Sequence, residues 1–350
     1  MRRTLAALLA TCALGATAHA TAPAPPPPPR EARWAATWLA GRVKPGGYVT
    51  ALDGKPDLAT SVVIGIALAA AGVAPRTLDA IAAYAAAHVD DYAVANGRDR
   101  PGALGRLALL AAASGRDPNA FGGHRLVDRI LATQTSVGPE AGLFADPVYH
   151  GTFSHALGLL GVSAARALTA DQRAARDRAI AWLRTQQCAD GGWQQAPRPV
   201  LLDLALTECA ATGSANGPDT NTAAFAAQAL AAHGAAPARD ALGWFAAARN
   251  PQGGWGYAPR AATDADSTAL VVQAIGALGG TTDATKALLV LQIRCSGAKA
   301  DRGAFAYQRG ADGKLRPNVY ATAEAVPAVA HKPFPLTRPA ATVARAPLPC

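Results

Sequence analysis

Two aspartates lie at the start of an apolar segment in the last third of the chain, which begins with the sequence Asp264-Ala-Asp-Ser-Thr-Ala269. A carboxylic acid that burial keeps protonated can deliver a proton to a substrate, and Asp264 and Asp266 are candidates for this chemistry. Asp, Asn, Ser and Thr in front of an apolar run are also typical of a helix N-terminus, where their side chains cap free amides. We interpret this motif as a helix cap, and proton donation by Asp266 is the alternative.

The same pattern recurs 45 residues earlier as Asp219-Thr-Asn-Thr222, and more loosely from Asn318 onward. A catalytic acid is expected once in a chain, whereas a structural cap is expected in every repeat, so the recurrence favours capping. A ligand held near these helix starts is expected to contact polar and aromatic side chains of the copies, namely Asp219, Asn221, Phe225 and Tyr320.

Another polar helix start is Tyr149-His-Gly-Thr-Phe-Ser-His155. Its two histidines are five residues apart and project about 140° apart on a helix, which makes them a poor pair of metal ligands. We interpret this cluster as capping and packing, and contact of His150, Phe153 and His155 with a ligand is the alternative. The sequence predicts neither a metal site nor a cofactor.

Each copy belongs to a larger unit of an amphipathic helix, a Gly-rich turn that ends in an aromatic residue, and an almost wholly apolar helix. A helix that is apolar on all sides must be buried on all sides, so the second helices form an inner layer and the first helices an outer one. Six such units fit the chain, and the lack of polar capping repeats favours a closed ring over an open solenoid. The inner helices are predicted near residues 57–73, 102–114, 150–166, 219–234, 264–279 and 318–331, and the outer helices include 78–94 and 284–294.

The turn sequences identify a resemblance. Residues 186–193, with the sequence Gln-Gln-Cys-Ala-Asp-Gly-Gly-Trp, and the related residues 252–255 resemble the Gln/Trp repeat of squalene–hopene-type terpenoid cyclases. The resemblance covers residues 34–331 and implies an all-α fold, the α6–α6 toroid. Protein prenyltransferase β-subunits and cobalamin-carrier proteins share this double ring of six helix pairs. Because one fold hosts many functions, the motif predicts the fold better than any activity.

The resemblance extends to the acidic motif, which is similar to the Asp-x-Asp-Asp-Thr-Ala motif of class II terpene cyclases. It implies that Asp266, matching the middle aspartate, would be the proton donor. The last aspartate of that motif is Ser267 here, which removes one carboxylate. A polyene cyclase also stabilises carbocations against aromatic rings. The predicted inner helices offer few such rings, mainly Phe153, Phe225 and Tyr320.

Other activities of the fold are less well supported. The zinc site of protein prenyltransferases needs Asp, Cys and His, and no predicted inner helix holds a Cys. Cobalamin carriers add a β-rich domain, for which residues 333–350 are too short. We therefore predict a binding or scaffold module for a small or hydrophobic ligand in the central cavity. The alternatives are an isoprenoid cyclase that uses Asp266, or another toroid enzyme such as a polysaccharide lyase.

The N-terminus predicts export. Residues 1–20 have a basic start, an apolar run and a small-residue cleavage site, which is typical of a secretory signal peptide. A lipid anchor at Cys12 is the minor alternative. Residues 21–33 are predicted as a Pro-rich linker, residues 34–331 as the toroid, and residues 332–350 as a Pro-rich tail. No segment is predicted to span a membrane.

Four cysteines remain after removal of the signal, an even number that indicates two disulfides in an exported chain. We favour Cys188 with Cys209, across the loop between two paired helices, and Cys295 with Cys350, which would hold the tail. A four-thiolate zinc site is the alternative, but the chain has no Cys-x-x-Cys pair.

The formal net charge is +9, and it falls to +7 when Arg2 and Arg3 leave with the signal. The basic residues are scattered and interleaved with aspartates, without a dense basic run, so the sequence does not support nucleic-acid binding. Loose attraction to an anionic cell envelope is the association that this charge allows.

Overall fold

The computed structural model of the protein describes residues 27–197, 208–346 and 348–350. The predicted signal peptide, with Cys12, and residues 21–26 of the predicted linker lie outside these ranges. In chain order the helices are α1 (Arg30–Ala40), α2 (Leu58–Ala71), α3 (Pro75–Ala87), α4 (Val89–Ala93), α5 (Pro101–Ala113), α6 (Leu126–Ala132), α7 (Thr152–Ser163), α8 (Ala170–Thr185), α9 (Thr220–Ala232), α10 (Ala241–Ala248), α11 (Ala265–Ala277), α12 (Thr285–Leu289) and α13 (Val319–Val329). Two antiparallel ribbons pair β1 (Val49–Thr50) with β2 (Pro56–Asp57) and β3 (Val94–Ala95) with β4 (Arg98–Asp99).

Six of the helices form a closed inner ring. In the order α2, α5, α7, α9, α11 and α13, each helix packs against the next, and α13 packs against α2. Most of their residues are buried, because each inner helix has neighbours on both sides and an outer helix behind it. The remaining longer helices form the outer layer. This all-α toroid of six helix pairs confirms the predicted fold, its closure and the six inner helices.

The outer helices depart from their predicted bounds. The segment predicted as one helix over 78–94 is divided into α3 and α4 at His88, and the helix predicted over 284–294 ends at Leu289. Helix α1 begins at Arg30, directly after Pro29 and inside the segment predicted as a linker. Outer helices are buried on one face only, so packing stabilises their ends less than those of the inner helices.

Glutamine side chains link consecutive repeats. Gln134, Gln187 and Gln292 each donate a hydrogen bond to a carbonyl within their own Gly-rich turn, at 2.8–3.2 Å. The same amides donate to a backbone carbonyl of the next outer segment, and for Gln292 that carbonyl belongs to Glu31, 3.0 Å away. In these three units the glutamine therefore joins its unit to the next one. In the last unit it joins the end of the ring to its beginning.

Both predicted disulfides are confirmed. Cys188 pairs with Cys209 and Cys295 with Cys350, with Cα–Cα distances of 5.6 and 5.8 Å. The second bridge holds the last residue of the chain against the loop after α12. Disulfides of this kind form in oxidising compartments.

Glycines allow α5 and α7 to approach closely. A methyl group added at Gly105 would overlap the carbonyl group of Leu157, and one added at Gly161 would overlap the backbone of Gly105. By contrast, a methyl group at the exposed Gly276 of α11 would meet no atom within 4 Å. We expect Gly105→Ala to destabilise the fold by about 1–3 kcal/mol, because two helix backbones must separate.

The matched control is Gly276→Ala, which should stabilise the protein by about 0.5–1 kcal/mol, since alanine loses less backbone entropy in a helix. Urea unfolding of both variants measures the difference. Equal stabilities for the two variants would show that the close approach of α5 and α7 is not required.

Candidate functional site

The inner helices begin in register, so equivalent residues meet at the axis of the ring. The second, sixth and ninth residues of a helix lie on one face. The second residues form the upper layer, here called the mouth, which comprises Ala59, Gly102, Phe153, Asn221, Asp266 and Tyr320. The sixth residues form the middle layer of Val63, Arg106, Leu157, Phe225, Leu270 and Glu324. The ninth residues form the lower layer of Ile66, Leu109, Leu160, Gln228, Gln273 and Pro327.

A small cavity lies on the axis between the middle and lower layers. Its volume is about 30 Å³. Aliphatic and aromatic side chains form most of its wall, and Arg106, Glu324 and Gln273 are its polar lining. Phe334, from the chain that follows α13, closes the lower end. This axial cavity has room for a few small atoms, whereas pockets for drug-sized ligands measure about 300–1,000 Å³.

A buried ion pair forms the polar part of the middle layer. A guanidinium nitrogen of Arg106 lies 3.9 Å from Oε1 of Glu324, and these side chains are 14% and 7% exposed. That separation is longer than a hydrogen bond. The Arg106 guanidinium also lies 5.9 Å from the ring centroid of Phe225 and 6.0 Å from that of Tyr320. Burial raises the pKa of Glu324, and the charge of Arg106 opposes this shift.

Asp264 is the cap of α11, and Asp266 is not. Asp264 accepts a hydrogen bond from the Ser267 amide at 2.7 Å and another from the Ser267 hydroxyl at 3.0 Å. Asp266, two residues later, projects toward the mouth, and its Oδ1 is shielded from water without a hydrogen-bond partner among the described residues. Capping by Asp266 is therefore wrong. The reason is geometric, because a cap must precede the first helical residue, and α11 begins at Ala265.

The surroundings of Asp266 keep its carboxyl group protonated at neutral pH. Burial is the main cause, and the nearby carboxyl groups of Glu324 and Asp264 add to it, so the pKa of Asp266 is raised to about 8. No hydrogen bond to a backbone amide offsets these effects, in contrast to the caps. Asp266 can therefore act as a hydrogen-bond donor, or as an acid, at the mouth.

Two capping aspartates flank the mouth, each with a tyrosine from the following repeat beside it. Asp219 caps α9 by accepting from the Thr222 amide at 2.8 Å. Burial raises the pKa of Asp219 to about 6, and that of Asp264 rises for the same reason. Tyr257 and Tyr307 are the neighbouring tyrosines, 47% and 41% exposed. Asn221, one turn above Phe225, is half-buried at the mouth.

The structure separates the residues of the histidine cluster. Phe153 belongs to the mouth, where its ring packs edge-on against Phe225 with centroids 5.3 Å apart. His150 is exposed and pairs with Glu140 at 3.0 Å. His155 is completely buried between the helix layers, where its Nδ1 accepts from the Phe144 amide and its Nε2 donates to the Ala179 carbonyl.

This arrangement leaves the His155 ring no nitrogen for a ligand. Burial lowers the pKa of His155 to about 3, so the ring is neutral. His155 is the fourth residue of α7, and the fourth residues of α11 and α13 are Thr268 and Thr322. These threonines bind the amides of Trp255 and Phe305 in the same way, at 3.0 and 2.9 Å. Alignment of the repeats thus indicates a structural role for His155.

The sequence interpretation missed Arg106, Glu324 and Phe334. A signal for the first two was present, because each is a lone charged residue within a helix that is otherwise apolar. A charged side chain is costly to bury between the packed helix layers, so such a residue is expected to point toward the axis of the ring. Nothing in the local sequence indicates that Phe334 contacts this axis, since that contact depends on the path of the tail.

Within the described ranges, no three or more His, Cys, Asp or Glu side chains are grouped so that they could hold a metal ion. In the same part of the chain, no helix is long and apolar enough to cross a membrane.

Comparison with solved structures places this architecture among known toroids. The type II terpene cyclase MstE from Scytonema, in its apo form, matches with a TM-score of 0.56 and 16% sequence identity, over 86% of this chain and 96% of the cyclase. A protein from Actinoplanes matches with a TM-score of 0.55 and 17% identity, over 86% of this chain and 98% of its own. A glycosidase matches with a TM-score of 0.54 and 14% identity, over 86% and 95%.

No protein-family model matches the chain, and no curated protein matches it either. The structural matches extend over nearly the whole length of chains that carry out different chemistry, so at this level of identity they show the fold and not the activity. The closed inner ring, the Gln-linked turns and these matches establish that the chain has the α/α-toroid fold of the terpenoid cyclases.

Proposed function

We propose that this protein is a binding module that holds a small, neutral ligand at the mouth of the ring. The observation that carries the proposal is Asp266, a half-buried carboxyl group at the mouth that neither caps a helix nor has a hydrogen-bond partner for its Oδ1. A buried polar group without a partner costs about 1–3 kcal/mol. A side chain kept at that cost without a structural role is a candidate for contact with a ligand.

The charges at the mouth favour a neutral polar group on the ligand. Arg106 and Glu324 already balance each other below the mouth, and Asp266 is uncharged at neutral pH. A cationic ligand would be repelled by Arg106, and an anionic ligand would be repelled by Glu324. A hydroxyl or carbonyl oxygen avoids both repulsions and can accept a hydrogen bond from the protonated Asp266. Its apolar part would enter the axial cavity.

The size of the axial cavity argues against a polyprenyl ligand. Its volume of about 30 Å³ accommodates a short alkyl group and not a folded polyene. The aromatic lining is also sparse, with Phe225 as the aromatic side chain of the middle layer. We therefore favour binding over cyclisation of an isoprenoid chain.

The proposal includes export of the mature protein. Two disulfides among the described residues support an oxidising compartment, in agreement with the signal peptide that residues 1–20 predict. We propose that residues 34–331 act as the toroid domain, and that residues 332–350 form a tail that remains attached to it.

A second candidate function is acid catalysis by Asp266. It is favoured by the raised pKa of this carboxyl group and by its place in a motif similar to that of type II terpene cyclases, whose fold the chain shares. In this case Asp266 would transfer its proton to the substrate. Catalysis and binding differ in what they require of Asp266, because an asparagine can still donate a hydrogen bond but has no acidic proton.

Binding can be tested with short primary alcohols, from ethanol to 1-hexanol, by ligand-observed NMR. We expect the affinity to be constant below about pH 8 and to fall above it, because ionised Asp266 cannot donate a hydrogen bond. Asp266→Asn should retain binding and remove this pH dependence. Asp266→Ala should weaken binding about tenfold or more, through loss of the donor.

The control variant is Asp171→Asn, at an exposed position on the outer helix α8, which should bind as the wild type does. Wild-type protein that binds none of the alcohols, or binds equally well after Asp266→Ala, would overturn the proposal. Incubation with a geranylgeranyl polyene tests the second candidate. Cyclised products that form with wild type and disappear with Asp266→Asn would establish catalysis instead.

A further inference from the structure

The chain after α13 crosses the lower face of the ring and ends at the disulfide beside α12. We call residues 332–350 the strap. We propose that the strap residue Phe334 is the floor of the ligand site, and that it determines how long an apolar group the axial cavity accepts. This inference rests on the proposed function, since it concerns the apolar part of the ligand whose polar group contacts Asp266.

Two glutamines of the lower layer hold the beginning of the strap at the axis. Gln273 donates a hydrogen bond to the Lys332 carbonyl at 3.1 Å, and Gln228 accepts one from the Phe334 amide at 3.5 Å. Both glutamines are buried within apolar inner helices, where polar atoms are costly unless they are hydrogen-bonded, and the strap satisfies Nε2 of Gln273 and Oε1 of Gln228. These two hydrogen bonds hold the strap backbone at the axis, where the Phe334 ring lines the cavity.

The rest of the strap is attached at several separate points. Arg338 pairs with Asp79 at 2.6 Å and donates to the Ser114 carbonyl at 2.8 Å. Val343 exchanges backbone hydrogen bonds with Gly72 and Ala74, at 2.9 and 2.8 Å. The Ala346 amide donates to the Thr37 hydroxyl, and Cys350 is bonded to Cys295. These contacts do not involve Phe334, so its side chain can be changed while the strap remains in place.

The position of Phe334 has a direct consequence for ligand length. The wall of the axial cavity consists of inner-helix side chains, and Phe334 is the part of its lining that the strap contributes. Inner-helix side chains are fixed by neighbours on both sides, so shortening one of them disturbs the ring. Shortening Phe334 extends the cavity along the axis toward the strap. Each additional CH₂ group buried there should strengthen binding about fourfold.

The test compares the affinities of the primary alcohols from ethanol to 1-octanol for wild type, Phe334→Ala and Phe334→Leu, again by ligand-observed NMR. We expect wild type to bind the short alcohols best and to reject the long ones. Phe334→Ala should bind the longer alcohols with increasing affinity, and Phe334→Leu should be intermediate. Leu336→Ala is the matched control, because Leu336 is a buried strap residue that does not line the cavity. Circular dichroism verifies that each variant is folded.

The outcomes separate this inference from the proposed function. If wild type binds short alcohols through Asp266 but Phe334→Ala and Phe334→Leu keep the wild-type length preference, the function stands and the role of Phe334 is overturned. A shift of equal size in Leu336→Ala would also overturn it, because loosening of the strap would then be the cause. If Phe334→Ala does not fold, the alcohol-length preference of Phe334→Leu alone tests the role of Phe334. Absence of binding in wild type and in both Phe334 variants overturns the proposed function, and this inference with it.

Discussion

Asp266→Asn is expected to stabilise the protein by about 3 kcal/mol near pH 8 and to have almost no effect near pH 4. Burial and the neighbouring carboxyl groups raise the folded-state pKa of Asp266 from 3.8 to about 8. The folded state therefore binds this proton more tightly than the unfolded state does. The resulting stability is complete below the unfolded-state pKa and is lost as the pH rises toward the folded-state value. Asparagine is nearly isosteric and never ionises, so it avoids this loss.

The size of this effect follows from the pKa shift. One pKa unit corresponds to about 1.4 kcal/mol, and we take about half of the full shift because Asp266 is only half-buried and solvent screens part of the effect. Urea unfolding of wild type and variant between about pH 4 and pH 9 measures the difference. The difference in the free energy of unfolding should grow from about pH 4 to about pH 8 and level off above that.

Asp264→Asn is the matched control for this series. Asp264 caps α11, and asparagine caps a helix about as well as aspartate, so the change should alter stability by less than about 0.5 kcal/mol, whereas Asp264→Ala should cost about 1 kcal/mol. A destabilised Asp266→Asn protein near pH 8 would mean that the Asp266 carboxylate has a stabilising partner, contrary to its position at the mouth.

The ion pair of Arg106 and Glu324 is expected to give the largest single-residue effects. Arg106→Met and Glu324→Leu should each destabilise the protein by about 3–5 kcal/mol, because each leaves a charge in an apolar core without its partner. The double variant should recover most of this loss, since two apolar side chains of similar volume can replace a buried pair at little cost. A double-mutant cycle by urea unfolding measures the coupling.

The two single variants should differ in a defined direction. Glu324 can take up a proton when Arg106 is removed, and its pKa is already raised by burial. The Arg106 guanidinium cannot lose its charge when Glu324 is removed. Glu324→Leu should therefore be the less stable variant at neutral pH, and Arg106→Met should lose less as the pH is lowered. Additive single effects, with no recovery in the double variant, would show that the pair is not coupled.

The inner helices and their caps were predictable because the signals for them are local and repeat. A helix apolar on every side must be buried, and Asp219, Asp264 and Asn318 each precede such a helix and accept from an amide of its first turn. The pairing of the cysteines was predictable for a related reason, since each partner lies near an end of a loop or tail that a covalent bond could restrain.

The candidate site was less predictable, because neighbouring residues of one motif have different surroundings. Asp264 and Asp266 are two residues apart and of one type, yet the first accepts a hydrogen bond from a backbone amide, whereas Oδ1 of the second has no hydrogen-bond partner among the described residues. Packing was the interpretation of the cluster that contains His155 and ligand contact was the alternative, and the structure places this side chain between the helix layers. Sequence shows which residue types are present, whereas their pKa values depend on the groups that other helices bring beside them.

The sequence by itself determined the helical period and the turns, which follow from patterning within each repeat, and it indicated the closed ring because six units occur without polar capping repeats. Only the tertiary structure decided which side chains meet at the axis. Arg106 and Glu324 are more than two hundred residues apart and become partners because the ring closes between α13 and α2. Phe334 reaches the same cavity because the strap returns across the lower face. Contacts of this kind arise from the arrangement of the whole chain, and no local pattern encodes them.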